Sequence, residues 1–564
     1  MSTAYQAPSA PERAYRGARP LAWAGGVVVV TAGLAGMLHF FNATYDDAFI
    51  PFRYAANLVA GHGLVFNPGE RVEGYSNFLW TVALAVPTWL GVGRSELGML
   101  LFAKLCGVVF NTATLLLLLG FAPGKDARVG RVSVPIAAVY VATCAPFLMW
   151  GVGGLETPLV TLLLVGAILL YDREAALPRS HSGSAMMLLG AALTRPEPVV
   201  LAAVFTLLRL LPNDRTPRRS WREVLGYFLT FAVPYGVFLC WRWMYYGQLL
   251  PNTYYAKVYT DHRASVRGLD YVVHAFSDLN WTALLLLSVA CIVLGRRWSR
   301  RVTVLIALLA VHLAGVVYEG GDWMPAYRLL VPAVPIVGLV VREGWIATHH
   351  FQVGVPELPD LPAWFVPARW VERSRTAARW LARTHWYPRV VALARPAARA
   401  LLLLAVAVGG WGSFRAVRVR GLESGFSRIH LDNFGHFEVA RWMRAERKDA
   451  GLLAIGEAGV IPYYTQLPIV DMFGLMDPHI AHLHGVRHRK FDVDYVLDRH
   501  PRYVFLVFSV RPDTHRLPAH RHGAILLHNQ RFLDEYEVCK DFGSSALYCR
   551  RTNEDATDLG GADP

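Results

Sequence analysis

The sequence offers no handle for a nucleotide. It contains no G-x-x-x-x-G-K-[ST] phosphate loop, no G-x-G-x-x-G dinucleotide turn and no G-x-S-x-G nucleophile elbow, which argues against ATP-driven pumping and dinucleotide redox chemistry. The histidines between His479 and His528 lack compact metal-ligand spacing and read as surface or structural groups, so the pattern specifies no metal. No internal or inverted repeat is visible, which weighs against a secondary transporter. Charge is sparse, at 17% of 564 residues, and acids are outnumbered 42 to 56 by Lys and Arg. The net charge of +14 is not a nucleic-acid footprint, because the arginines sit in short patches between apolar runs, as topology signals do. Cysteine is also scarce. Cys106, Cys144, Cys240 and Cys291 fall in apolar segments, where a cysteine acts as a small hydrophobe. Cys539 and Cys549 are spaced for a disulfide across a hairpin if the region lies outside the cytoplasm; two unpaired thiols are the alternative.

What is abundant is apolar surface. With 54% hydrophobic residues and a mean hydropathy of +0.31, the chain reads as an α-helical polytopic membrane protein. Residues 1–20 form a polar tail assigned to the cytoplasm, and Leu21 to Phe41 a retained anchor, since no small-residue cleavage site closes it. Further apolar runs lie near 78–92, 97–121, 132–150, 157–172, 185–193, 198–211, 224–244, 280–295, 302–318, 329–345 and 397–413. The basic patches at Lys125 to Arg131, Arg215 to Arg222, Arg296 to Arg301 and Arg369 to Arg399 belong in the cytoplasm, which allows only one net crossing between Asn77 and Lys125. One of the two runs there must dip, giving about eleven crossings. The loops 42–77, 151–156, 194–197, 245–278 and 319–328 then share the outer face, and irregular backbone at membrane depth is tolerated where it lines a cavity. The membrane part is expected to span residues 21–413. Residues 414–550 alternate helix-like and strand-like pieces and are expected to form an extracytoplasmic α/β domain, with 551–564 a disordered acidic tail.

Two adjacent carboxylates, Asp46 and Asp47, sit at the mouth of the first membrane helix, in Thr44-Tyr45-Asp46-Asp47-Ala48-Phe49-Ile50. A charge at the bilayer centre costs roughly 2.5–3.5 kcal/mol even on a lenient scale, so the pair belongs at the interface or in a wet cavity and is a candidate catalytic site. Adjacent side chains point in different directions, so the two should do different jobs: one takes a proton from an attacking hydroxyl, the other holds a substrate hydroxyl, a cation or the loop. The competing account is an Asp N-cap for a helix from Ala48 to Val59. Candidate substrate-binding residues follow. Arg53 lies in the same loop, and Glu70, Glu73, Tyr75 and Asn77 lie in FNPGERVEGYSNFLW, whose polar groups suit sugar hydroxyls. Glu156, and Arg195 with Glu197 in TRPE, place charge at membrane depth, which is expensive unless it binds something or fixes a helix break. Asn252, Tyr255 and Lys257 lie in a stretch that fits a phosphate, a sugar or an aromatic belt. Asp322 and Arg328 flank Trp323, and an arginine there suits a lipid phosphate.

Taken together, DDAFIPFRYAANLVAGHGLVFNPGERVEGYSNFLW, TRPE, YYGQLLPNTYYAK, EGGDWMPAYR and GEAGVIPYYTQLPIVDMFGLMDP resemble the polyprenyl-phosphate-dependent C-type (GT-C) membrane glycosyltransferases. Within them the likeness is to the terminal β-(1→2)-arabinofuranosyltransferases of arabinogalactan cell walls, from Thr44 to about Gly485. The resemblance implies a multi-pass protein of the cytoplasmic membrane that moves arabinofuranose from a decaprenyl-phosphoryl donor to the end of a cell-wall arabinan acceptor on the outer side. Its partners would be the polyprenyl-phosphate sugar, the polysaccharide, held or oriented by the domain at 414–550, and membrane lipid, with no nucleic acid. The family's loop aspartates map onto Asp46 and Asp47, with the base role expected at Asp46, and Arg195, Lys257 or Arg328 would receive the leaving phosphate's charge. No nucleotide is needed and no cofactor is certain; a divalent cation stays open. The same residues also admit a different sugar or acceptor, or a transporter of lipid-linked sugar that binds without proton transfer.

Overall fold

The computed structural model describes residues 10–120, 134–175, 182–210, 220–259, 261–351, 387–423, 435–446, 451–510 and 516–551. The patches Lys125 to Arg131 and Arg215 to Arg219, most of the long basic loop 342–399, the start of the N-terminal tail and the acidic tail from residue 552 lie outside the described residues.

Among the described residues, four helices are long and apolar enough to cross a membrane: Gly98–Gly120, Trp221–Tyr246, Arg300–Glu319 and Ala392–Val419. Ala264–Asp278 and Trp281–Leu294, bent by 71°, make a fifth span if taken as one. The protein is thus polytopic, but the expected eleven or so crossings are not reached among the described residues, because several apolar runs are broken. The run at 132–150 becomes Ile136–Ala142 and Ala145–Trp150. There the Thr143 hydroxyl folds back onto the Val139 and Tyr140 carbonyls at 3.0 and 3.1 Å, and Pro146, with no N–H to extend the old helix, opens a new one. The runs at 185–193 and 198–211 become Gly183–Thr194 and Pro198–Leu208 on either side of Arg195, which is extended (φ −152°, ψ 150°) as the following Pro196 requires. The run at 78–92 gives Phe78–Ala83 and Ala85–Trp89. At 1.5 Å per residue this pair reaches roughly 18 Å, short of a hydrocarbon core of about 30 Å, so Gly98–Gly120 is the full crossing of the two.

The C-terminal part is a mixed sheet with helices on it. Strands β1 (Leu453–Ile455), β2 (Ile469–Asp471), β3 (Tyr503–Val510), β4 (Arg516–Pro518), β5 (Tyr536–Asp541) and β6 (Ser545–Arg550) run in the order β2-β1-β3-β6-β5, with β4 paired to β3. The parallel pairs β1/β2 and β1/β3 sit beside the antiparallel hairpin β5/β6. The near-continuous apolar run of β3, YVFLVFSV, suits a central strand buried on both faces. Cys539 and Cys549, on β5 and β6, are disulfide-bonded with their Cα atoms 5.6 Å apart.

Polar groups sew this sheet to the helical part. The Asn67 amide closes a two-way pair with β2, donating to the Ile469 carbonyl (2.9 Å) and accepting from its N–H (3.0 Å), as a neighbouring strand residue would. The fully buried Arg53 donates to the carbonyls of Phe66 (2.9 Å), Pro462 (2.7 Å) and Leu467 (2.7 Å), tying its own helix, Phe49–Val59, to the helix Val460–Thr465. Arg487 donates to the Gly321 carbonyl at 2.9 Å and Lys490 to the Tyr255 carbonyl at 2.6 Å.

Candidate functional site

Where these loops meet lies a cavity of about 720 Å³. Its wall includes Asp47, Tyr75, Asn77, Glu156, Arg195, Glu197, Lys257, Asp322 and Arg328, drawn from each of the loops assigned to the outer face. One wall is a closed polar chain. Thr81 donates to Asn77 (2.9 Å), Asn77 to Glu156 (2.9 Å), and Arg195 reaches both Glu156 (2.9 Å) and Glu197 (2.5 Å). The guanidinium is thereby spent on two carboxylates, and it bridges the helix break that exposes it.

The opposite wall is more open. Arg328 gives its Nε to Asp322 at 2.7 Å and lies over the Trp150 ring. Burial pushes the Asp322 carboxyl up, but Arg328, Arg487 and Lys257 outweigh it and hold the group below the usual range. Asp47 and Lys257 are half-buried and line the cavity, and their side chains make no hydrogen bond to any described residue. Burial raises the Asp47 pKa above the ordinary carboxylate value, against the pull of Lys257 and Arg328, and burial lowers that of Lys257 against the pull of Asp47.

Asp46 has a different environment. It does not line the cavity; its carboxylate accepts from the backbone N–H of Gly459 (2.7 Å) and Val460 (2.9 Å) and meets His436 Nδ1 at 3.1 Å. A Cβ on Gly459 would stand 2.0 Å from the Asp46 carbonyl oxygen, so only glycine allows this approach. Burial lowers the His436 pKa, but the contact with Asp46 more than reverses this and the net shift is upward. On the other side of Asp46 the chain is fixed by Lys104, whose ammonium donates to the carbonyls of Phe41 (2.8 Å), Ala43 (2.5 Å) and Val152 (2.9 Å), and by Tyr45 stacked on Trp150 with centroids 4.3 Å apart. No N-cap hydrogen bond from either aspartate is present at this helix start, so the capping account of the pair does not hold.

Five other expected substrate-binding residues do not line the cavity. Arg53 is committed to three carbonyls and is held down to about 9 by burial. Glu70 pairs with Arg499 at the surface (3.2 Å), and Glu73 faces Arg242 at 2.9 Å. The Asn252 amide donates to the carbonyls of Gly474 and Leu475, both at 2.9 Å, and Tyr255 stacks on His482. In each case a side chain that sequence marks as polar at a loop is spent on joining two segments. Conversely, His312, Glu319 and Arg487 line the cavity without having been singled out. Glu319 ends its helix and is the first residue of EGGDWMPAYR, a signal that was available; Arg487 comes from the C-terminal part, where no local pattern marks it. Among the described residues no group of three or more His, Cys, Asp or Glu side chains is placed to hold a metal ion.

Residues 426–558 match a family model described as a domain of unknown function (DUF8728). The terminal β-(1→2)-arabinofuranosyltransferase of Mycobacterium tuberculosis is 32% identical over 239 residues, 40% of this chain and 36% of that protein. The protein of the same description from Corynebacterium glutamicum is 29% identical over 346 residues, 53% of this chain and 49% of that one. The chain thus spans about a third to a half of the length of these curated relatives. Among solved structures, ArnT from Cupriavidus metallidurans bound to undecaprenyl phosphate aligns over 95% of this chain and 99% of its own, at 14% identity and a TM-score of 0.49, a distant likeness. By its sequence, the chain is a relative of the mycobacterial and corynebacterial terminal β-(1→2)-arabinofuranosyltransferases.

Proposed function

We propose that the protein is a GT-C-type glycosyltransferase that moves a sugar, arabinofuranose, from a polyprenyl-phosphate donor to a hydroxyl of a cell-wall arabinan, with Asp47 as general base. The cavity and the C-terminal sheet lie on the extracytoplasmic side in this reading. The observation that carries it is the contrast inside one dipeptide: Asp47 opens onto a cavity beside Lys257 and Arg328, while Asp46 is saturated by Gly459, Val460 and His436. The base role expected for Asp46 therefore passes to Asp47.

Asp47 takes the acceptor hydroxyl proton as that oxygen attacks the anomeric carbon, and the bond from this carbon to the lipid phosphate oxygen breaks through an oxocarbenium-like transition state. A burial-raised pKa makes Asp47 a better proton acceptor than a solvated carboxylate. The phosphate monoester leaves as an anion and needs no acid. Lys257, whose side chain has no hydrogen-bonded partner among the described residues, and the Arg328 guanidinium, whose Nε alone is given to Asp322, receive its charge. Arg195, spent on Glu156 and Glu197, shapes the wall. The relationship to the arabinofuranosyltransferases supports the choice of pentose and acceptor.

The test is transfer from synthetic polyprenyl-phosphoryl arabinose to a short arabinan by the purified protein in detergent, comparing wild type, Asp47→Asn and Asp46→Asn. Product from wild type and its loss in a folded Asp47→Asn variant supports the reading. Full activity of Asp47→Asn removes it as base. No product from any form points to a carrier, and lipid flipping is then measured.

A further inference from the structure

The base and the leaving-group cation of the proposed reaction sit on loops far apart in sequence, and one buried side chain touches both loops. Trp150 ends the helix Ala145–Trp150 and is fully buried. Its ring is stacked on Tyr45, with centroids 4.3 Å and planes 25° apart, and Asp47 follows two residues later. A Cβ on Gly153 would come within 3.1 Å of the Trp150 ring and 3.5 Å of the Tyr45 ring, so the turn after the helix closes over this stack. The edge of the indole serves the other loop. Nε1–H donates to the Ala326 carbonyl at 3.0 Å. Arg328 follows two residues later, its guanidinium 5.7 Å from the Trp150 ring centroid.

The second loop needs such a tether. Ala326 (φ 58°) and Tyr327 (φ 51°, ψ 45°) are consecutive residues in the left-handed region, where Cβ crowds the following carbonyl. Non-glycine residues stay there only where their surroundings over-determine them. Two side chains hold this pair: the Trp150 indole takes the Ala326 carbonyl, and the Tyr327 hydroxyl donates to the Asp278 carboxylate. The backbone angles at 327 set the direction in which residue 328 leaves, so a pair relaxed to extended or right-handed backbone would re-aim Arg328.

We propose that Trp150 is the positioning residue that holds the Asp47 carboxylate and the Arg328 guanidinium in register, fixing Asp47 through the Tyr45 stack and Arg328 through the Ala326 carbonyl. This rests on the transferase reading, in which Asp47 takes the acceptor proton and Arg328 receives the phosphate charge, and it adds what sets one against the other. Transfer requires that register, because the attacking and leaving oxygens flank one anomeric carbon, and a misplacement of about 1 Å can cost 10²-fold in rate.

The two contacts of the indole are separable. Trp150→Phe keeps a ring for Tyr45 and removes the N–H; Tyr45→Leu removes the stack and keeps the N–H. Purified full-length protein in detergent is titrated by calorimetry with polyprenyl phosphate and with the matching polyprenol, which lacks the phosphate. Single-turnover transfer from polyprenyl-phosphoryl arabinose is timed on the same samples, below each variant's melting temperature. Trp150→Phe is expected to weaken polyprenyl phosphate binding about tenfold and to leave polyprenol binding at the wild-type value, a split that lost packing alone does not produce. Tyr327→Phe, which frees the other tether of the left-handed pair, should show the same phosphate-specific loss without opening a hole beside Tyr45. Tyr45→Leu is expected to slow the single turnover at saturating donor and to leave polyprenyl phosphate binding unchanged. Phosphate binding unchanged in both Trp150→Phe and Tyr327→Phe, or weakened equally for phosphate and polyprenol, overturns the proposal, as does failure of the wild type to bind polyprenyl phosphate. A wild type that binds polyprenyl phosphate but transfers no sugar removes the transferase reading; the phosphate-specific loss then still supports the hold on Arg328, and its absence still overturns it.

Discussion

Two clusters of buried charge in the helical part are finished differently. Near the far end of the helix Thr157–Ala175, roughly 27 Å along its axis from Glu156, Glu174 pairs with Arg209 and also accepts from the Ser184 backbone N–H (2.9 Å) and hydroxyl (2.6 Å). The Arg209 guanidinium lies 3.8 Å over the Tyr227 ring, and the Tyr227 hydroxyl meets Ser184 at 3.0 Å. Both oxygens of Glu174 are taken, and neither Glu174 nor Arg209 lines the 720 Å³ cavity. At the other end, Asp47 and Lys257 are left without side-chain hydrogen bonds to the described residues beside a 720 Å³ space. A charge cluster that closes on itself holds helices together, whereas one that stays open on a cavity is positioned to act on something else.

Breaking each cluster should separate activity from stability. Asp47→Asn is expected to lower the transfer rate by about 10²–10⁴-fold with the melting temperature unchanged, by single-turnover assay and thermal denaturation in the same detergent. Arg209→Ala should do the reverse. It takes the Arg209 guanidinium away from a buried carboxylate and is expected to cost about 3–5 kcal/mol of stability, while the rate per folded molecule stays at the wild-type value. Equal loss of activity in both variants would erase the distinction between the clusters.

Asp46→Asn sharpens the comparison within the dipeptide itself. It weakens hydrogen bonds to a charged group worth about 1.5–3 kcal/mol, so the melting temperature falls and the rate falls partially through misplacement of Asp47. The pH profile should keep its shape under the proposed assignment of the proton acceptor to Asp47. In the wild type, the raised Asp47 pKa places the acid limb of kcat/KM above the usual Asp value of about 3.9, with rate lost as pH falls. The smallest effect comes from His436. Its folded-state pKa is raised, so its stabilisation of the Asp46 contact is full below an unfolded value of about 6.5 and is lost as pH rises through the folded-state value. His436→Gln should remove that alkaline decline in melting temperature and leave the acid limb of the rate in place.

Much of this was legible in the residues. The stretch Thr44 to Ile50 marks itself by placing two carboxylates at a helix mouth, and GVGGLE, TRPE and EGGDWMPAYR mark themselves by mixing charge with Gly, Pro or aromatics beside apolar runs. What sequence hides is direction and partnership. Asp46 and Asp47 are alike as letters, and what separates them is a pair of backbone N–H groups 413 and 414 residues away. Arg53 and Asn252 look like substrate ligands because a polar group near a membrane needs a partner, and the partner turned out to be the chain's own carbonyls. Hydropathy likewise counts apolar residues without weighing a Pro146 or a Pro198, so it finds the runs and not the breaks within them.

The contact between Asp46 and Gly459 also sets a schedule. At synthesis rates of about 5–20 residues per second, the loop leaves the ribosome roughly 20–80 s before the glycine that completes it. For that interval the helices are in the membrane but Asp46 has nothing to hold, and Arg53 lacks two of its three acceptors. The nascent chain therefore carries its cavity unfinished until residue 459 has been made.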